Sequence, residues 1–126
     1  MKRVAGLDVH KDIIFACVKK GSYQSEVKEF STTTSGLEDL FHWLSGERVF
    51  KVAMESTSTY WMPVWRALEQ EFVLYLVNPY FIKQMPGRKS DVKDAQWIAT
   101  LLDKGMLRNS VVPEKMIRVL RGYLRR

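Results

Sequence analysis

The sequence predicts a mixed α/β fold: a five-stranded sheet whose first three strands form an antiparallel meander, covered by helices. Three observations predict it. Strand-sized apolar runs fill the first thirty residues and are separated by short polar turns. From Ser35 onward, apolar stripes at helical spacing alternate with further strand-like runs. The chain of 126 residues, 46% hydrophobic with four Trp, is long enough to bury one sizeable core.

Residues 4–9 read as the first strand, with Val4, Gly6 and Asp8 on one face and Ala5, Leu7 and Val9 on the other. His10-Lys11 makes a polar turn into residues 12–18, whose β-branched and aromatic side chains suit the antiparallel partner. After Gly21-Ser22, residues 24–30 carry Glu26, Lys28 and Glu29, as an exposed edge strand does. Ser35-Gly36-Leu37-Glu38 has the form of a capping box. Leu37, Leu40, Phe41 and Leu44 then form a helical stripe that Gly46 stops. Residues 49–54 are a fourth strand, with Glu55 at its carboxyl end and a cluster of N-cap candidates from Ser56 to Thr59. Trp61, Val64, Trp65 and Leu68 mark a second helix, with Pro63 tolerated in its first turn. Residues 72–77 are apolar almost throughout, which predicts a strand buried on both faces.

Residues 79–89 lack periodicity and carry Lys83, Arg88 and Lys89 among aromatic, Pro and Gly residues, which reads as a basic loop. A helix then opens around Asp91 and runs to about Lys104 before Gly105. Its inward stripe is Asp91, Asp94, Ala95, Ile98, Leu101 and Leu102. Pro113 begins a last helix, with Met116, Ile117, Leu120, Tyr123 and Leu124 opposite Arg118, Arg121 and Arg125. It reaches residue 126 without a cap, so the expectation is one domain over 1–112 and, over 113–126, the start of a basic helix that continues in a longer protein.

The net charge of +6 points to an acidic partner, nucleic acid before anionic membrane. The single Cys17 leaves no internal disulfide and fits a reducing cytoplasm. The N-terminus has no signal peptide and the longest apolar runs are strand-sized, so the chain is expected to be cytoplasmic. No Cys or second His stands at ligand spacing from His10 or His42, which argues against zinc.

Four carboxylates remain. Asp8 and Glu55 end strands, and if those strands are parallel neighbours the two project side by side; the helix from Asp91 could add Asp91 and Asp94. Such a cluster cannot stay charged without a partner, because repulsion and desolvation would force protons onto it. Mg²⁺ or Mn²⁺ relieves that, and an all-oxygen set suits these ions and phosphodiester chemistry. Simpler roles stand beside this one. Acids in a first helical turn complement the macrodipole, Asp8 can initiate a turn, Glu55 can be a solvated strand end, and the basic stripes can be solvated faces.

Gly6-Leu7-Asp8-Val9-His10-Lys11, Met54-Glu55-Ser56-Thr57-Ser58-Thr59-Tyr60-Trp61, Asn78-Pro79 and Lys89-Ser90-Asp91-Val92-Lys93-Asp94-Ala95 occur in that order. Together they resemble the N-terminal domain of the DEDD transposases of the insertion-sequence "one-ten" family, related to Piv-type DNA invertases. The resemblance implies a RuvC-like, ribonuclease H-type fold in which Asp8, Glu55, Asp91 and Asp94 bind Mg²⁺ and catalyse DNA strand cleavage and exchange in the nucleoid of a prokaryote. It also implies a structured bridge RNA that guides the enzyme to target and donor DNA. The family carries a C-terminal transposase domain with a catalytic serine, and residues 118–126 resemble the start of the connector to it. Ser56, Ser58 and Ser90 do not match that serine.

The expected nucleic-acid contacts are Lys83, Arg88, Lys89, Arg118 and Arg121, and a homo-oligomer is expected. The competing readings are a binding and dimerisation module without activity of its own, a Holliday-junction resolvase with the same fold and acids, and half of an actin-like kinase. The last is disfavoured, because Val9-His10-Lys11 offers no glycine or hydroxyl to cradle phosphates.

Overall fold

The computed structural model of the chain describes residues 3–21, 24–56, 58–77 and 94–107. Its elements are β1 (Arg3–Val9), β2 (Ile13–Lys19), β3 (Ser25–Ser31), α1 (Thr34–Gly46), β4 (Val49–Ser56), α2 (Trp61–Leu68), β5 (Val73–Val77) and α3 (Asp94–Asp103). They build one five-stranded sheet in the order β3-β2-β1-β4-β5. β1 and β2 pair antiparallel, as do β2 and β3, whereas β4 lies parallel to β1 and β5 parallel to β4. The expected last helix from Pro113, the loop over 79–89 and the first turn around Asp91 lie outside the described residues, and so does the proposed boundary at 112. Among the described residues no helix is long and apolar enough to cross a membrane.

Alternation along the strands sorts the core onto two faces. Ala5, Leu7, Val9, Ile14, Ala16, Val18, Val52, Met54 and Leu74 meet Leu40 and Leu44 of α1 and Trp61, Val64, Trp65 and Leu68 of α2. The opposite face presents Val4, Gly6, Cys17, Ala53 and Val77 to α3, whose Ala95, Ile98, Ala99, Leu101 and Leu102 are buried there.

Gly6 makes the second interface possible. A Cβ on Gly6 would collide with the backbone nitrogen of Ala99 and the carbonyl oxygen of Ala95. Only a glycine in β1, facing two alanines in α3, lets helix backbone rest directly on strand backbone. Beyond its end, α3 closes with Gly105 in the left-handed region at φ 71°. The Met106 N–H donates to Leu101 O at 2.9 Å and the Gly105 N–H to Leu102 O at 3.0 Å. That is the hydrogen-bond pair of a Schellman motif, and it turns Leu107 back into the core.

Two local expectations, the caps of α1 and α2, are corrected. The N-cap of α1 is Thr33, whose Oγ1 accepts from the Gly36 N–H at 3.1 Å, so Ser35 and Glu38 lie inside the helix. The helix does end at Gly46, and the left-handed turn into β4 falls on Arg48 at φ 58°. Ser56 ends β4, and its hydroxyl bridges to the Ser58 backbone; α2 instead follows Tyr60 with no side-chain cap. β5 is an edge strand covered on both faces as expected, with Leu74 on the α1–α2 side and Val77 on the α3 side, and only Val73 at its start is exposed. Its apolar run reflects packing of Leu74 and Val77 on opposite faces at the sheet margin.

Cys17 sits under Ala95 and Ala99, and burial pushes its thiol pKa above the usual value. It therefore reports whether α3 is seated. Gly6→Ala is expected to destabilise the fold by about 1–3 kcal/mol in urea unfolding and to speed modification of Cys17 by dithiobisnitrobenzoate. Wild-type stability and thiol reactivity in the variant would contradict the direct backbone contact.

Candidate metal centre

The parallel pairing of β1 with β4 sets Asp8 opposite Glu55. Neighbouring strands lie about 4.8 Å apart, so in-register residues point to the same face side by side. Both belong to the face that α3 covers. The Asp8 side chain is 14% exposed and Glu55 only 8%, with Glu55 Oε2 enclosed. Parallel strands also bring their carboxyl ends to one edge of the sheet, where binding sites of open α/β sheets gather. Val77, opposite Glu55, ends β5 at that same edge.

The course of α3 extends the geometry. Val4 packs with Ile98, Leu101, Leu102 and Leu107, whereas Gly6 meets Ala95 and Ala99. Moving toward the carboxyl end of β1 thus moves toward the start of α3, and the two run antiparallel. Two residues beyond Gly6, roughly 7 Å along the strand, stands Asp8. One residue before Ala95, α3 begins at Asp94. The backbone of α3 therefore starts at the edge that carries Asp8 and Glu55.

Of the sequence-predicted site residues, the structure brings Asp8 and Glu55 together and begins α3 at Asp94. Asp91, Lys83, Arg88, Lys89, Arg118 and Arg121 lie outside the described residues. Among the described residues no three His, Cys, Asp or Glu side chains form a group able to hold a metal ion. Asp8 and Glu55 nevertheless suit a hard cation in kind: they are two carboxylates, neighbours in register and largely withdrawn from water, and oxygen is the donor such ions take.

His10 was missed as a functional candidate. Its Nε2 lies 2.9 Å from Asp8 Oδ2. The signal that could have found it was the alternation itself, since Val4, Gly6, Asp8 and His10 continue one period of two past the strand end.

A family model for the DEDD transposases of the IS110 type, described as transposase, matches residues 5–126. Among solved structures, RuvC of T. thermophilus in complex with a Holliday junction substrate aligns with a TM-score of 0.57 at 16% identity, covering 84% of this chain and 98% of RuvC. A second Thermus thermophilus RuvC structure gives 0.50 at 17% identity, over 94% and 89%. Pelota of Archaeoglobus fulgidus gives 0.55 at 12% identity, over 98% of this chain and 39% of Pelota. These likenesses show the fold, which is RuvC-like and of the ribonuclease H type. No curated protein matches the chain.

Adjacent carboxylates repel when no cation lies between them. In low-salt buffer, saturating Mg²⁺ is expected to raise the thermal midpoint of the wild type more than that of Glu55→Gln. An equal rise in both would remove Glu55 from the site.

Proposed function

The chain belongs to the DEDD transposase family of the IS110 type, and we propose that it is the metal-binding domain with which such an enzyme cleaves and exchanges DNA strands under RNA guidance. The observation that carries this reading is the register of Asp8 with Glu55 on adjacent parallel strands, at the edge where α3 begins. Asp8, Glu55, Asp91 and Asp94 would hold Mg²⁺ or Mn²⁺. Such ions would supply activation of an attacking oxygen and stabilisation of the leaving oxygen at phosphorus.

The chain's own contribution is rigidity and exclusion of water. Two of the acids stand on central strands of the sheet, so their separation is fixed by backbone pairing before any ligand arrives. Glu55, buried beside Asp8, would attract a cation more strongly than a carboxylate in open water does. The third and fourth acids are carried by α3 and the residue run before it, and the seating of α3 on Gly6 sets where that helix begins.

Charge is divided along the chain in a way that supports a nucleic-acid partner. Residues 78–93 and 108–126 hold ten of the twenty Lys and Arg and only two acids, Asp91 and Glu114. The remainder carries ten bases against twelve acids, so the whole positive excess belongs to those two runs. The first leaves β5 at Val77 and returns at Asp94, and both of these ends lie at the acidic edge of the sheet. Lys83, Arg88 and Lys89 in that run, and Arg118 and Arg121 in the other, are the proposed phosphate contacts for DNA and for the structured guide RNA.

Calorimetry with Mn²⁺ tests the metal reading: wild type is expected to bind and Asp8→Ala to lose that binding, whereas equal binding by both would remove Asp8 from the site. For the nucleic-acid reading, replacing Lys83, Arg88 and Lys89 by alanine is expected to reduce the slope of log affinity against log salt by roughly one for each phosphate that the variant no longer neutralises. An unchanged slope would assign DNA binding to other residues. Retained nucleic-acid binding by a wild-type chain that takes up no Mn²⁺ would favour a binding module over a catalytic one.

A further inference from the structure

We propose that His10 is a positioning residue for Asp8, holding one carboxylate oxygen so that the other is presented to a divalent cation. This rests on the reading of Asp8 as a metal ligand. An ionised Asp8 only accepts hydrogen bonds, so at 2.9 Å the imidazole carries its proton on Nε2 and donates it to Oδ2. The ring is itself held. Its edge meets Phe15 at 86° with centroids 5.7 Å apart, and Phe15 is the β2 residue directly opposite Asp8 in the β1–β2 ladder. Phe15 in turn packs against the cluster of Cys17, Ala95 and Ala99 beneath α3.

The backbone fixes the same residue from below, where the His10 N–H donates to Ile13 O at 2.9 Å and closes the turn between β1 and β2. His10 is thus pinned through backbone, ring edge and Nε2, although half of its side chain faces solvent. A surface histidine with no task would not need to be held on three sides. Carboxylate ligands are commonly oriented by an outer hydrogen-bond donor of this kind, and such donors act on affinity through the ligand they hold. Direct ligation by the ring is the weaker alternative, since Mg²⁺ and Mn²⁺ favour oxygen and His10, Asp8 and Glu55 do not form a three-donor group.

The full chain is titrated with Mn²⁺, with free ion followed by electron paramagnetic resonance, in wild type, Asp8→Asn, His10→Ala and His10→Gln. Glutamine keeps an N–H at about the reach of Nε2. His10→Ala is expected to weaken Mn²⁺ roughly ten-fold with the metal-free thermal midpoint unchanged, and His10→Gln to restore the affinity. Loss of binding in Asp8→Asn together with wild-type affinity in His10→Ala overturns the role of His10 and leaves the metal site standing. Equal losses in His10→Ala and His10→Gln also overturn it, because the imidazole itself would then be needed. Wild-type binding by Asp8→Asn overturns both readings. Nitrogen NMR of the metal-free ring gives a check that does not depend on the His10 variants folding: a protonated Nε2 whose resonance moves in Asp8→Asn is expected, and an unmoved resonance contradicts the hydrogen bond.

Discussion

The contact on which the rest of the arrangement depends is the one between the backbone of α3 and the backbone of β1 at Gly6. Helices usually ride on a sheet at the distance their side chains impose. Here a glycine below and two alanines above remove those side chains, and the helix settles until its own carbonyl and amide groups touch the strand. Large apolar residues then fill the flank, with Ile98, Leu101 and Leu102 against Val4, Ala53 and Val77. The Schellman closure after Leu102 ends the helix without frayed carbonyls. Seating, flank and cap together leave α3 little freedom to slide, so a structural contact at Gly6 becomes a positional statement about the helix start beside Asp8 and Glu55.

The same edge concentrates what the core cannot tolerate. Apolar packing on both faces of the sheet stabilises the fold, and against it stand two adjacent acids with little access to water. Like charges side by side oppose folding unless other groups compensate them, and for Asp8 one such group is His10. Chains hold arrangements of this kind where chemistry needs them, and the RuvC-like fold together with the transposase family gives the chemistry a class. His10 and Phe15 add a second tier, in which a ring locked by the β1–β2 turn restrains one of the two carboxylates.

Much of this was legible in the residues, for physical reasons that differ between elements. The helical stripes of α1 and α2 and the buried stripe of α3 followed from apolar spacing, which burial enforces. The strand ends of Asp8 and Glu55 were visible as polar residues closing small apolar runs, but their pairing depended on which strands are parallel neighbours, a property of topology and not of local sequence. The apolar run of β5 announces cover on both faces, which Leu74 and Val77 have, but not a place at the sheet margin, because such a run looks alike whether a second strand or open solvent lies beyond it. The caps of α1 and α2 were misplaced where several hydroxyl residues compete within four positions and tertiary contacts choose among them. Gly6 drew no notice as a docking point, since a glycine in a strand announces a close approach without saying what approaches. His10 escaped because it lies just past the strand, where the alternation that aims it at Asp8 is no longer counted.

If sheet and helix bring carboxylates from β1, β4 and α3 to one cation, anomalous diffraction from a crystal of the chain grown with Mn²⁺ will reveal it. The expected result is a peak in contact with Asp8, Glu55 and Asp94. An ordered site with those three carboxylates too far apart to share an ion, or a peak held by other residues, would contradict it.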